Sequence, residues 1–228
     1  MKVKSEFSKY AYEYGKYNII QQKVAVEVIQ HMNTKAQYIL DLGCGRGAIV
    51  EKIDWEYQHF VGVDFAQGML DLHPKSEKIE CLYGNFNDES LFQILGKYRF
   101  DYLVSASALQ WAEDLESIFQ KIAQMNIPFS LGIFTAGTFE TLHKTAGITS
   151  PLRDKDTLEI LQEKYLNAHF EVKKYSLAFE SIQDIFRYIK KSGVSGSRNV
   201  LSYKQMKTLM REYPLKSLEF EVAFIYSR

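Results

Sequence analysis

The chain has 228 residues, 46% of them hydrophobic and 25% charged, with a formal net charge of zero. That is enough chain for one sizeable domain with its own core, and the composition is that of an ordinary globular protein. Zero net charge implies no bulk attraction to nucleic acid or to a membrane surface, and no apolar run reaches the length of a membrane span. The first residues, Met1 to Ser8, are charged and polar and carry no signal-peptide core. Cys44 and Cys81 are the only cysteines, which suits a reducing cytoplasm rather than a disulfide framework. The five histidines show no metal-ligand spacing with either thiol, so no metal is expected.

In chain order, a tyrosine-rich stretch from Phe7 to Tyr17 leads into a helical apolar pattern at Ile19, Ile20, Val24, Val28 and Ile29. An amphipathic helix on the edge of a sheet accounts for most of it. Tyr38-Ile39-Leu40-Asp41-Leu42 then reads as a buried strand, breaking into the turn Gly43-Cys44-Gly45-Arg46-Gly47. Glycine accepts positive φ and lets a ligand approach the backbone, so Gly43 and Gly45 are candidate ligand contacts. A helix over Ala48 to Ile53 is expected next, its free N–H groups facing the ligand. A second apolar run, His59 to Asp64, ends in an acid seventeen residues after Gly47. An acid at that strand tip can accept hydrogen bonds from ribose hydroxyls. Ile79 to Tyr83 is the third strand, Phe100 to Ser105 the fourth and Phe129 to Phe134 the fifth, with a helix over Leu115 to Met125. Beyond them lie an interrupted helical stretch from Phe139 to Asn167 and a strand over Phe170 to Glu180. A helix over Ile182 to Lys191 and a glycine and serine loop over Ser192 to Asn199 follow. A helix over Leu201 to Arg211 and a final strand over Leu218 to Tyr226 close the chain. Five strand-then-helix units predict an α/β, Rossmann-like, doubly wound and mostly parallel sheet of seven strands.

The G-x-G-x-G spacing, with Asp41 two residues before the first glycine and Asp64 on the next strand, resembles motif I of the class I S-adenosylmethionine-dependent methyltransferases. The dinucleotide fingerprint G-x-G-x-x-G is not what stands here. The resemblance implies S-adenosylmethionine as cofactor and S-adenosylhomocysteine as product. Asp41 would help hold the methionine part, Asp64 the ribose, and Phe65 and Met69 would flank the adenine. Asn85 stands where relatives carry an acid, and its carbonyl can still accept from the adenine amino group. Phe86 adds a wall, and Ser105 at the end of the fourth strand is counted with this group. The Asn/Asp-Pro-Pro-aromatic stretch of amino-group nucleic-acid methyltransferases is missing after the fourth strand, which disfavours a nucleic-acid substrate.

Several further stretches resemble the malonyl-acyl-carrier-protein O-methyltransferases of biotin synthesis. Phe7, Ala11, Tyr14 and Gln21 match that family's N-terminal pattern, while Tyr10 and Asn18 depart from it. Ala108 to Trp111, Gly137 to His143, Arg187 to Gly193 and Leu201 to Met206 resemble further segments of it. The resemblance implies O-methylation of the free carboxylate of malonyl-acyl carrier protein. Such a carboxylate is already ionised at neutral pH and needs no general base. Alternatives are a small-molecule methyltransferase acting on a free acid or another nucleophile, and a non-catalytic adenosyl-binding module. Tyr14 and Gln21 join the cofactor candidates; Gln110, Trp111, His143 and Arg187 are the acceptor-side candidates, Arg187 as a bidentate partner for the carboxylate. The chain is expected to form one domain over 1–228, with an N-terminal flap over 1–30 and lid segments over 139–167 and 192–214. Arg187, Lys190, Lys191, Arg198, Lys204, Lys207 and Arg211 run without an intervening acid. They form either a solvated face or the docking surface for an acidic carrier protein.

Overall fold

A computed structural model describes residues 17–191 and 203–228. Tyr14, Arg198 and most of the tyrosine-rich and glycine-serine stretches lie outside these residues, as do the side chains of Lys190, Lys191 and Lys204. Seven strands form one sheet in the order β3-β2-β1-β4-β5-β7-β6. They are β1 (Tyr38–Leu42), β2 (His59–Asp64), β3 (Ile79–Tyr83), β4 (Tyr102–Ala106), β5 (Phe129–Phe134), β6 (His169–Ala178) and β7 (Ser217–Tyr226). The first five run parallel, and β7 is antiparallel to both β5 and β6. The expected Rossmann-like, doubly wound, mostly parallel sheet is what forms.

The apolar runs explain the layering. Parallel strands are covered on both faces and read as nearly continuous hydrophobic stretches, and all six residues of β5 are buried. Successive side chains alternate between faces. Ile39, Phe60, Tyr102 and Val104 enter one core, and Leu40, Leu42, Val61, Val63 and Leu103 enter the other.

The first core is covered by α1 (Ile19–Gln30), α7 (Ile182–Lys191) and α8 (Tyr203–Glu212). Helix α1 buries Ile20, Val24, Ala25 and Val28 completely. It lies on the sheet face over β4, β5 and β7, not on the edge. Gly132 makes room for it, since a Cβ there would stand 2.5 Å from Val24 Cγ1. Ile185, Tyr188, Leu209 and Tyr213 anchor α7 and α8 to the same core.

The second core is covered by α3 (Glu89–Leu95), α4 (Leu115–Met125) and α6 (Lys155–Tyr165), with α2 (Gln67–Leu70) and α5 (Glu140–Ala146) completing the helices of the described residues. Asp114 caps α4 by accepting from Ser117 N–H at 3.0 Å, and Asp154 caps α6 through Thr157 N–H at 2.7 Å.

Three local expectations change. Where a helix was expected over Ala48 to Ile53, turns run to Ile49 and end in a 3-10 turn, Val50–Lys52. Gly45 and Gly47 take positive φ, and Ile49, Val50 and Ile53 are β-branched, so neither favours a helix. Second, α3 was not anticipated; its buried face is only Leu91 and Leu95. Third, β4 starts two residues later than Phe100. The Asp101 carboxylate accepts from Gln37 and Tyr38 N–H at 3.0 and 2.9 Å, pinning the approach to the strand.

Candidate active site

The chain order of the sheet reverses between β1 and β4, and ligands of doubly wound sheets bind at that switch point, beyond the carboxyl ends of the strands. A cavity of about 280 Å³ opens there, lined by the glycine turn, by residues after β2 and β4, by Phe86 and by the first turn of α1.

Its floor is made of satisfied backbone. Gly43 and Cys44 N–H donate to Val63 O at 2.8 and 3.0 Å. Gly45 N–H donates to Asp64 Oδ2 at 3.0 Å, and Ala66 N–H to Asp64 Oδ1 at 2.7 Å. The Gly43, Cys44, Gly45 and Gly47 amides are thus committed within the protein, the last to Cys44 O at 2.9 Å, while the first turn of α1 faces the cavity from the other side. Gly43 (φ +80°) has no room for a side chain: a Cβ would stand 2.1 Å from Ala108 Cβ. Gly45 (φ +53°) faces open space, with nothing within 4 Å of such a Cβ.

Two carboxyls stand at the site. Asp64 lines the cavity, and burial pushes its pKa up from 3.8 to about 6, against the lowering effect of the Ala66, Gly45 and Phe65 amides. Asp41 is fully buried beneath the turn. Burial, then the charge of Asp64, pushes its pKa well above the usual range. Neither oxygen of Asp41 has a hydrogen-bond partner among the described residues. An orphaned buried carboxyl under a turn that approaches a cavity fits a ligand with hydrogen-bond donors, such as an adenosyl amino acid.

Of the other sequence candidates, Gln21, Phe65, Met69, Phe86 and Trp111 line this cavity. Gln21 is buried, and its Oε1 has no partner. Ser105 does not line it; its hydroxyl donates to Leu42 O at 2.6 Å and ties β4 to β1 below the site. Asn85 Oδ1 accepts from the backbone and side-chain N–H groups of Asn87 at 3.0 and 3.1 Å, away from the cavity wall. Gln110 is buried behind the wall, with Nε2 donating to Ser107 O at 2.6 Å. His143, on α5, lines a separate depression with Arg153, and burial lowers its pKa. Arg187, on α7, is more than half exposed and pairs with Asp184 at 2.5 Å. It lines neither depression.

The cavity also takes Asn18, Gln22, Arg46, Glu51 and Ser107, which the motifs did not single out. Arg46 stands inside the glycine turn and was legible there. Asn18 and Gln22 arrive on α1 from far along the chain, and only the packing of that helix brings them in. Among the described residues, Glu27, His31 and Glu171 have metal-ligand spacing. The ammonium of Lys173 already stands between the two carboxylates, 2.5 Å from Glu27 and 3.3 Å from Glu171.

Residues 39–128 match the family model of the methyltransferase domain. The chain is 24% identical over 92% of its length to the malonyl-[acyl-carrier protein] O-methyltransferase of Bacillus cereus, of which the match covers 86%. Among solved structures, the YcgJ protein of Bacillus subtilis superposes with a TM-score of 0.58 at 14% identity, covering 90% of this chain and 97% of that one. The phosphoethanolamine N-methyltransferase 2 of Haemonchus contortus, in complex with S-adenosyl-L-methionine, gives 0.53 at 13% identity, over 89% of this chain and 52% of that one.

Proposed function

We propose that this chain, a class I S-adenosylmethionine-dependent methyltransferase by family match and sheet order, esterifies the free carboxylate of malonyl-acyl carrier protein, an early step of biotin synthesis. The observation that carries the reading is the similarity to a malonyl-[acyl-carrier protein] O-methyltransferase over nine-tenths of the chain. The site supports it chemically. When bound, the cofactor supplies a sulfonium-activated methyl group. An ionised carboxylate is already a nucleophile. The residues must then align oxygen, methyl carbon and sulfur and exclude water. Beyond β4 the wall includes Ser107, Ala108 and Trp111, and Gln21 joins the lining from α1: neutral side chains that do not titrate at neutral pH.

In this reading Asp64, Phe65 and Met69 hold the adenosine, and Gly43, Gly45 and Asp41 the amino-acid part. We take residues 1–228 as one domain; of its flap (1–30) and lid segments (139–167 and 192–214), residues 1–16 and 192–202 lie outside the described residues. Lys207 and Arg211, both exposed on α8, receive the acidic carrier. A reducing cytoplasm keeps Cys44 and Cys81 as the free thiols they are here.

The test supplies purified protein and methyl-labelled S-adenosylmethionine with malonyl carrier protein, with free malonate, or with no acceptor. Label transferred as a base-labile ester to the carrier is expected. Transfer only to free malonate would replace the carrier with a small acid, and binding without transfer to any acceptor would leave an adenosyl-binding module.

A further inference from the structure

Ser107 departs from ordinary backbone at the wall of the cavity. Its φ is +61°, in the left-handed region that non-glycine residues seldom occupy. Of the other described non-glycine residues with positive φ, Asn126 and Asn167 stand at or just past helix C-termini, where such turns are common, and Phe139 is the N-cap of α5. Ser107 instead lines the cofactor cavity directly after β4. Backbone strain of this kind persists only where neighbours over-determine it. Here they do. Ser107 N–H donates to Gly132 O at 2.8 Å, and Ser107 O accepts from Gln110 Nε2 at 2.6 Å. The next residue, Ala108, is pressed against Gly43.

The strain delivers a hydroxyl that has nothing to bond. Ser107 Oγ is buried and without a hydrogen-bond partner, and so is Oε1 of Gln110. Buried hydroxyls in folded proteins nearly always have a partner, so an orphan in a cavity wall points to a ligand. The glycine turn separates Ser107 from Asp64, Phe65 and Met69, because β1 lies between β2 and β4. Ser107 therefore stands at the end of the cavity away from the ribose acid, with Ala106 and Ala108 on either side. A hydroxyl there can donate to an anionic oxygen.

Resting on the carboxylate reading above, we propose that Ser107 is a specificity-determining residue for the acceptor, and that Gln110 is its positioning residue. Its O–H donates to the acceptor carboxylate oxygen that is not methylated. The other oxygen keeps its lone pair for the methyl carbon: the O–C bond forms as the C–S bond breaks, and Ser107 retains its proton throughout. Gln110 touches no ligand; its amide holds the Ser107 carbonyl so that the left-handed turn is kept.

Three readouts test this on the intact protein: acceptor KM, cofactor Kd by calorimetry, and Tm. Wild-type transfer is measured first, and the acid it methylates is the acceptor used. Ser107→Ala is expected to raise acceptor KM about tenfold or more, the effect of losing a hydrogen bond to a charged group. Cofactor Kd should stay within about twofold of wild type, in line with a residue that touches only the acceptor. Tm should hold or rise, since the lost hydroxyl had no protein partner to leave behind. Gln110→Ala should raise acceptor KM in the same way, and the double variant should be no worse than Ser107→Ala. An unchanged acceptor KM in an active Ser107→Ala enzyme overturns the inference and leaves the carboxylate reading standing. A rise in cofactor Kd matching the kinetic loss would move Ser107 to the methionine side, and a fall in Tm would make it structural; either overturns the proposal. A wild type that methylates no carboxylic acid overturns both.

Discussion

The two ends of the crevice are built by different means. At the β1–β2 end the backbone does the work. Glycines at positive φ let the chain fold back on Val63 O, and the Asp64 carboxylate takes two amides. The buried side-chain atoms left without a partner there are the Asp41 oxygens, beneath the turn, and His73 Nε2, beside Gly47. At the β4 end the polar atoms of side chains are left over: Gln21 Oε1, Ser107 Oγ and Gln110 Oε1. Gln21 meets Ser107 and Gln110 from far away in the sequence. A site for a constant cofactor can be fixed by covalent geometry and local spacing. A site for a particular acceptor is tuned by side chains whose meeting depends on the whole fold.

If that contrast holds, the largest effects come from the glycine turn. Gly43→Ala combines a left-handed backbone with a Cβ 2.1 Å from Ala108 Cβ. The conformation costs about 1–2 kcal/mol and the overpacking about 1–3 more, so we expect a loss of roughly 2–5 kcal/mol in urea unfolding. Gly45→Ala has the conformational cost alone, because its Cβ would meet nothing within 4 Å. Its stability should fall by only that conformational cost, about 1–2 kcal/mol. Its cofactor affinity should fall further, since that open space is where a ligand approaches. Equal stability losses in the two variants would break the distinction between a packed and a ligand-facing glycine.

An intermediate effect sharpens the role of Asp64. Its folded pKa is raised, from 3.8 to about 6. The folded state therefore binds the proton more tightly than the unfolded state, and stability without cofactor falls as pH rises from about 4 through about 6. Ribose hydroxyls favour the anion, so cofactor affinity should rise over the same window, by at most about tenfold per pH unit. The two profiles run in opposite directions; Asp64→Asn should flatten the affinity profile, while part of the fall in stability persists because burial also raises the Asp41 carboxyl. Calorimetric affinity that stays level between pH 5 and 7 in the wild type would take Asp64 out of the cofactor contacts.

The same contrast explains what the sequence disclosed. Strands β2, β3 and β5 and helix α4 stand at their expected bounds, because long apolar runs and a capped amphipathic face state their own limits. The glycine turn and its acid were legible from spacing alone. The helix expected after the turn was not there, since three glycines and β-branched residues override a generic strand–turn–helix pattern. Ser107 was hidden altogether: a positive φ at serine leaves no mark in composition or periodicity. For Gln110, His143 and Arg187 a matching segment supplied residue identity but not side-chain direction. The structure sets Gln110 behind the wall, His143 in a neighbouring depression and Arg187 against Asp184.

The smallest effect lies outside the crevice, on α8. Leu209 and Tyr213 hold that helix to the core, while Lys207 and Arg211 are exposed, the latter three-quarters so and beside Glu212 at 3.0 Å. Surface ion pairs of this kind contribute little to folding. The variant Lys207→Glu/Arg211→Glu should therefore unfold within about 0.5 kcal/mol of wild type. Its effect belongs to association with an acidic carrier, which charge reversal slows and salt screens. We expect turnover of malonyl carrier protein to fall about three- to tenfold at low salt, and the deficit to shrink as ionic strength rises, because attraction between exposed charges is lost beyond a Debye length of about 8 Å. Turnover of a small malonyl thioester without the protein should not change, since neither residue lines the cavity. A matched loss on both acceptors would mean that α8 acts on the crevice itself. No loss on either would leave these cations as a solvated face and put the carrier elsewhere on the surface.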